Sequence, residues 1–325
     1  MPDVVMHHYF GREVLSELNE KINAKLEDYR LYDFATAGPD PFFFVAFTNA
    51  KKNKNSREFG NYIHRHKTKA FFMKLVELTK KNNDLFPYLC GFVCHYFLDV
   101  ASHPYIFYYT GVYNPDNPKT YEYRGLHTLL ERAMDAYVIR NYYGSIPHKF
   151  KIHKHILTLK SINKKDKQSF DELFLSVYNH KNGYEHVNKS VKSQRKFYRF
   201  IYDPMGIKNK LLSKLDNGKS SLSLGVLSYY HKEVNDVDIF NIQHSYWTNP
   251  VDVNIVSRKS FMELFDEAKL QCINTINALY ENIFAGFNNN IEGYFKNLSY
   301  ITGLDCEHSG EMVNFQNIFT TKKLI

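Results

Sequence analysis

An all-α fold is predicted for this 325-residue chain by three features. Apolar residues recur at three- and four-residue spacing through successive stretches. The run LCGFVCHYFLDVASHPYI carries His95, Asp99 and His103 one helical turn apart inside an otherwise apolar segment. Between the periodic stretches lie short segments rich in Pro, Gly and Asn, the residues that break helices and turn the chain.

Taken in order, Asp3 is a candidate N-cap, and Phe10, Val14, Leu18, Ile22 and Leu26 form the stripe of a first helix. The loop AGPDPFFF, with two prolines and a glycine, is expected to be irregular. A second helix runs from Arg57 to Lys80 with Ile63, Phe71 and Leu75 inward, and a third from Leu85 to Ser102. Pro104 is expected to end that helix, because the residue before proline is driven out of the α region. His103 would then sit at a frayed end, able to reach sideways. After the loop NPDNPK, a fourth helix spans Tyr123 to Asn141.

Past residue 150 Lys, Asn and Ser increase, with candidate helices near 167–180, 190–202 and 258–284. Phe261, Leu264, Phe265, Ala268, Ile276 and Leu279 stripe the last of these. DNGKSSLSLG and SYWTNPVD read as loops, and no repeat is visible. The chain thus divides into a core, 1–150, and a helical region, 151–325, expected to pack on that core rather than to form a second enzyme.

The formal charge of +8 suits an anionic partner, such as a phosphate ester or an anionic membrane surface, although the lysines are scattered as on an ordinary solvated surface. Aromatic residues reach 16%, with a single tryptophan, Trp247. Four cysteines are too few for a disulfide scaffold; Cys90 and Cys94 read as reduced core thiols. The N-terminus lacks the basic and apolar regions of a secretory signal. The longest apolar run, Leu85 to Val100, is shorter than the ~20 residues of a membrane span. A soluble, cytoplasmic protein is expected.

Chemistry concentrates in the first 131 residues. His7 shares a helix side with Val14 and Leu18, and His64 precedes Phe71 by one heptad. His95 and Asp99 share a stripe, as do His127 and Glu131 in HTLLE, while Asp40 lies in the proline-rich loop. Taken singly, each is as compatible with a hydrogen-bonded core residue as with a ligand. Together, five imidazoles and three carboxylates on inward faces are costly to bury unless a cation compensates them. His8 and His66 point elsewhere on their helices. Carboxylate oxygens mixed with imidazole nitrogens suit zinc, with iron or manganese as other occupants, and eight ligands exceed one tetrahedral ion.

The series MPDVVMHHYFG, GPDPFFF, FGNYIHRHKT, GFVCHYFLDVASHPYI and GLHTLLE resembles the bacterial zinc-dependent phospholipase C family over about residues 2–140. Its superfamily includes single-strand-specific zinc nucleases. The resemblance implies an all-α bundle holding three zinc ions at the bottom of a cleft. By motif, Asp40, His64, His95 and Asp99 would hold one zinc of a close pair, and His7 and Asp99 the other, so that Asp99 bridges. His103, His127 and Glu131 would hold the third. The secreted relatives begin with a tryptophan whose amine and carbonyl ligate zinc; here the chain starts Met-Pro, and loss of Met1 would give the Pro2 amine that place.

The reading is a zinc-dependent phosphodiester hydrolase cleaving a phospholipid by metal-activated water, with Asp40 as general base, and with peripheral membrane contact possible. Substrate positioning falls to the aromatic segments Phe42–Phe44 and Tyr105–Tyr113, which serve equally as core. A nuclease or nucleotidase on the same centre is the first alternative, though no dense Lys/Arg stripe marks a nucleic-acid groove. A non-catalytic, metal-stabilised binding module is the second.

Overall fold

The computed structural model describes residues 3–26, 28–45, 47, 49–216, 223–229, 237–287 and 290–319. Among them it forms α1 (Val4–Glu17), α2 (Glu20–Asn23), α3 (Tyr29–Ala35), α4 (Ala50–Arg65), α5 (Thr68–Lys81), α6 (Phe86–Thr110), α7 (Leu126–Asn141), α8 (Ile152–His155), α9 (Lys167–Tyr178), α10 (Gly183–Ile201), α11 (Ile207–Leu215) and α12 (Phe261–Phe284), joined by short 3-10 turns. The only sheet there is a two-residue antiparallel pairing of β1 (Trp247–Thr248) with β2 (Val256–Ser257). The fold is all-α.

Helix α6 is the axis of the molecule, and α1, α3, α5, α7 and α12 all pack on it. It is long and apolar enough to cross a membrane, yet 89% of its most apolar window is buried inside the protein. These neighbours make it a core helix. Gly91 sets the crossing with α3, since a Cβ there would lie 2.3 Å from the carbonyl oxygen of Tyr32. Cys94 of α6 meets the Tyr32 hydroxyl at 3.1 Å and Cys272 of α12 at 3.4 Å, and all three residues are buried. The cysteines of α6 are therefore packing groups facing α3 and α12.

Several boundaries differ from the sequence reading. Asp3 caps α1, its side chain accepting from Val4 N at 2.8 Å. The first stripe is split at Leu18, where the backbone becomes extended and Asn19 caps α2 by accepting from Ile22 N at 3.0 Å. The stripe is nonetheless buried throughout. AGPDPFFF is ordered: Asp40–Phe44 is a 3-10 helix, with a proline at its start where a missing N–H costs nothing. The expected 57–80 helix is two helices, separated at Lys67, whose φ of 59° is left-handed. The fourth helix begins later, after Gly125 with φ 78°. SYWTNPVD contributes β1, and residues 217–222 of DNGKSSLSLG lie outside the described residues.

The largest correction concerns Pro104, which does not end α6; the helix continues to Thr110. Proline removes the hydrogen bond to the carbonyl of Val100. That oxygen is covered instead by Gly303, where an added Cβ would lie 2.8 Å from it. His103 thus stays on a rigid helix, in line with His95 and Asp99.

Residues beyond 150 close around this core. Helix α10 packs against the Asp40–Phe44 turn and α12 against α6. Helix α12 opens with a capping box, Ser260 and Glu263 each bonding the other's backbone N–H.

Candidate metal centre

Five elements deliver the eight predicted side chains. His7 comes from α1, Asp40 from the 3-10 turn, and His64 from the last turn of α4. His95, Asp99 and His103 come from α6, and His127 and Glu131 from the first turns of α7. All eight gather into three groups: His7, His95 and Asp99; Asp40, His64 and His95; and His103, His127 and Glu131. Within each group the potential ligand atoms lie within 4.8 Å of one another.

Asp99 is the centre of the first group. Its Oδ1 stands 3.2 Å from His7 Nε2 and its Oδ2 3.0 Å from His95 Nε2. The same Oδ2 is 3.6 Å from His103 Nδ1, so one carboxylate reaches toward every group. His7 and His95 stack with ring centroids 4.5 Å apart. His95 also belongs to the second group, in which His64 Nε2 lies 3.1 Å from Asp40 Oδ1. In the third, His127 Nε2 is 2.8 Å from Glu131 Oε1.

The backbone fixes which nitrogen faces inward. His64 Nδ1–H donates to the carbonyl of Gly60 at 2.7 Å and His95 Nδ1–H to that of Thr36 at 3.2 Å. His103 Nδ1–H donates to the carbonyl of Tyr300. A neutral imidazole so held presents Nε2 as a lone pair. These lone pairs converge on carboxylates, which are also acceptors. His95 Nε2, His103 Nε2, both oxygens of Asp99 and both nitrogens of His7 are buried without a hydrogen-bond partner. Acceptor facing acceptor in a buried site is repulsive unless a cation lies between. The donor set fits zinc on that ground: imidazole nitrogens pre-set as ligands and carboxylates placed to neutralise charge.

Ionisation follows the same logic. Burial lowers His7 to about 4, helped by the neighbouring His95, and burial lowers His64 to about 4. Burial likewise holds His103 and His127 below the usual histidine range. Burial alone would raise the Asp99 carboxyl, but its three histidines hold it well below the usual range. Asp40 is pushed well above that range, first by burial and, against the pull of His95, by the Asp99 charge. Burial opposes charge on the histidines and on Asp40 alike, whereas a bound divalent cation would favour neutral imidazole and ionised carboxylate together.

Sequence reasoning passed over the residues that hold these ligands. Gly38, at φ 50°, lies beneath His95; a Cβ there would come within 2.2 Å of the ring. Its place in AGPD signalled a turn but not this contact. Tyr300 accepts from His103, donates its N–H to the carbonyl of His64 at 2.8 Å, and sets its ring across His64 and His95. Asp135 accepts from Val5 N at 3.3 Å and Met6 N at 2.8 Å, which ties α1 to α7 and so His7 to Glu131. His8 is buried but turned away, with Nδ1 2.5 Å from the Tyr143 hydroxyl and Nε2 3.5 Å from Asp33. His66 is exposed against Tyr62. Pro2, the candidate amine ligand, lies outside the described residues.

Comparison with known proteins accords with this chemistry. A family model described as zinc dependent phospholipase C matches residues 6–191, past the end of α7 and into the first half of α10. No curated protein and no solved structure matches the chain. The chain belongs to the zinc-dependent phospholipase C family.

Proposed function

We propose that this family member hydrolyses the phosphodiester of a phospholipid, releasing the phosphorylated headgroup. The observation that carries the reading is the orientation of His64 and His95, each with Nδ1–H held by a backbone carbonyl and Nε2 about 3 Å from a buried carboxylate. His103 is likewise held by a backbone carbonyl through Nδ1, and its Nε2 is buried without a partner. In this reading Asp40, His64, His95 and Asp99 would hold one zinc, His7 and Asp99 a second, and His103, His127 and Glu131 a third. Zinc supplies Lewis acidity there, lowering the pKa of water toward ~7 and neutralising phosphate oxygens.

The protein's own groups do the rest. Asp40, poised by burial toward taking up a proton, orients the attacking water and accepts its proton. Asp99, with Oδ1 toward His7 and Oδ2 toward His95, would be shared between the two neighbouring sites. Buried Phe42 and Tyr105 belong to the core; of the two aromatic segments, half-buried Phe43, whose ring stacks at 5.4 Å on His64, and half-buried Phe107, 4.5 Å from the His127 ring, stand at the site.

Zinc-loaded protein assayed against a panel of phospholipids, bis-p-nitrophenyl phosphate and single-stranded DNA tests the proposal. Turnover of a phospholipid above that of DNA supports it. Preferential, salt-sensitive cleavage of DNA would replace it with a nuclease on the same centre. Retained zinc without turnover of any phosphodiester would leave a metal-stabilised binding module.

A further inference from the structure

Helix α11 carries an apolar stripe that stays exposed among the described residues. Its sequence is IKNKLLSKL, with three lysines and no acidic residue. At one-turn spacing Ile207, Leu211 and Leu215 form a single stripe, and they are 61%, 56% and 61% exposed. Met205 and Phe200 extend the exposed apolar surface at the helix's N-terminal end. Lys210 and Lys214, both exposed, project along one border of the stripe. The opposite face is the attached one. Leu212 packs on the core, Lys208 Nζ donates to the carbonyls of Phe200 and Tyr202 at 2.6 and 2.8 Å, and Asn209 donates to Gly225 O at 2.7 Å.

This helix is fastened to the open end of the metal centre. Asp216, its C-cap, is paired with Arg124, and accepts from Ser223 Oγ at 2.9 Å and Leu224 N at 3.0 Å. Arg124 immediately precedes Gly125, the N-cap of α7, whose first turn carries His127. The His127 side chain is 27% exposed, while those of His7, His64, His95, Asp99 and His103 are fully buried. The exposed edge of the cluster is thus on the helix whose start Arg124 ties to α11.

We propose that the exposed stripe of α11 is a docking surface for an anionic phospholipid bilayer, which brings the mouth of the metal centre to the lipid. A helix with an apolar face, lysines beside it and no acidic residue matches the interfacial zone of a bilayer: the apolar side chains enter the headgroup boundary and the ammonium groups meet lipid phosphates. A helix meant for the core would bury its stripe, and α11 buries no residue fully. The occupant follows from the phospholipid reading of the site, on which this proposal rests.

Two measurements separate that reading from the docking surface. Co-sedimentation of the zinc-loaded protein with vesicles of equal parts phosphatidylcholine and phosphatidylserine, over a time short against turnover, reports docking. Hydrolysis of a short-chain phospholipid below its micellar concentration reports the active site without docking. Wild type is expected to sediment with these vesicles and much less with phosphatidylcholine alone. Leu211→Glu is expected to weaken sedimentation and vesicle hydrolysis about tenfold or more, with monomer hydrolysis within about twofold and an unchanged melting temperature. Lys210→Glu with Lys214→Glu provides a second variant, expected to abolish the dependence on phosphatidylserine. Absence of wild-type sedimentation, or Leu211→Glu sedimenting like wild type, overturns the proposal. So does a concentration-dependent dimer that Leu211→Glu dissolves in the absence of vesicle binding, which would make the occupant a second copy. Vesicle binding without hydrolysis of monomeric lipid would overturn the substrate assignment instead and leave the surface standing.

Discussion

The enclosed and open halves of the metal centre are built differently. His7, His64, His95 and Asp99 have no exposed side-chain surface, and Asp40 has 8%. In the open half His127 and Glu131 keep 27% and 10%. Where water is excluded, an unpaired carboxylate or a lone pair facing another acceptor is costly, so each enclosed ligand depends on every other. Where water enters, the same residues lose less when unpaired. The enclosed half should therefore couple metal, fold and activity, and the open half should touch activity while sparing the fold.

The largest effect is expected at Asp99. Asp99→Asn removes the charge and one oxygen from a carboxylate that approaches His7, His103 and the His95 shared by two of the groups. Zinc content should fall by at least two ions per chain in elemental analysis, and turnover of bis-p-nitrophenyl phosphate should be abolished. Near-normal turnover with a full complement of zinc would break the comparison at its centre.

Gly38→Ala comes next. The added methyl group would overlap the His95 ring, and a φ of 50° is itself strained for alanine. Overpacking of this kind costs about 1–3 kcal/mol, and here the displaced group is a proposed ligand. We expect loss of stability in denaturant titration together with roughly hundredfold lower turnover, since misplacing a reacting group by about 1 Å has that effect. A variant destabilised but fully active would show that the His95 position is not critical.

Removing zinc is the third test, and pH gives it a sign. In the metal-free protein His7 and His64 are lowered to about 4 from 6.5. Between those values the unfolded chain binds protons that the folded one refuses. Stability is thus present above pH 6.5 and lost as pH falls through the folded values, by about 3 kcal/mol for each imidazole. Asp40 behaves oppositely: its raised carboxyl favours the fold at low pH, and this is lost as pH rises through the folded value. His7 and His64 are already neutral in the fold above about 4, whereas zinc must displace the proton of the raised Asp40 carboxyl, so the increase in melting temperature on adding zinc should grow as pH rises toward the folded Asp40 value, with proton release in calorimetry. A zinc increment independent of pH would contradict burial of the ligands.

What the sequence revealed of this site follows from where the information resides. His95, Asp99 and His103 were legible because i and i+4 spacing on one helix places side chains together whatever the rest of the fold does. The continuation of α6 past Pro104 was not legible, because it depends on Gly303, far away in sequence, covering the Val100 carbonyl. The groups that set the histidine tautomers are the carbonyls of Gly60, Thr36 and Tyr300. A backbone carbonyl has no residue-type signature, and Tyr300 lies beyond any local pattern with His103. The exposed stripe of α11 has the same periodicity as a buried one, so only the structure tells which face the protein covers.

The smallest effect on the fold is expected at Glu131, in the open half. Glu131→Gln keeps size and hydrogen bonding while removing the charge that faces His127 at 2.8 Å. His127 is held from its other side, Nδ1 lying 3.4 Å from the Thr110 hydroxyl, which itself donates to the Ile106 carbonyl at 2.8 Å. That hydroxyl therefore accepts from the imidazole, and the ring should keep its position. One zinc of three should become labile, its loss visible in elemental analysis after mild chelation, while the melting temperature changes little. Turnover should drop about tenfold to hundredfold, in the range expected for weakened metal support. If Glu131→Gln instead unfolds the protein as Asp99→Asn does, the two halves are one cooperative unit, and exposure to water does not divide them.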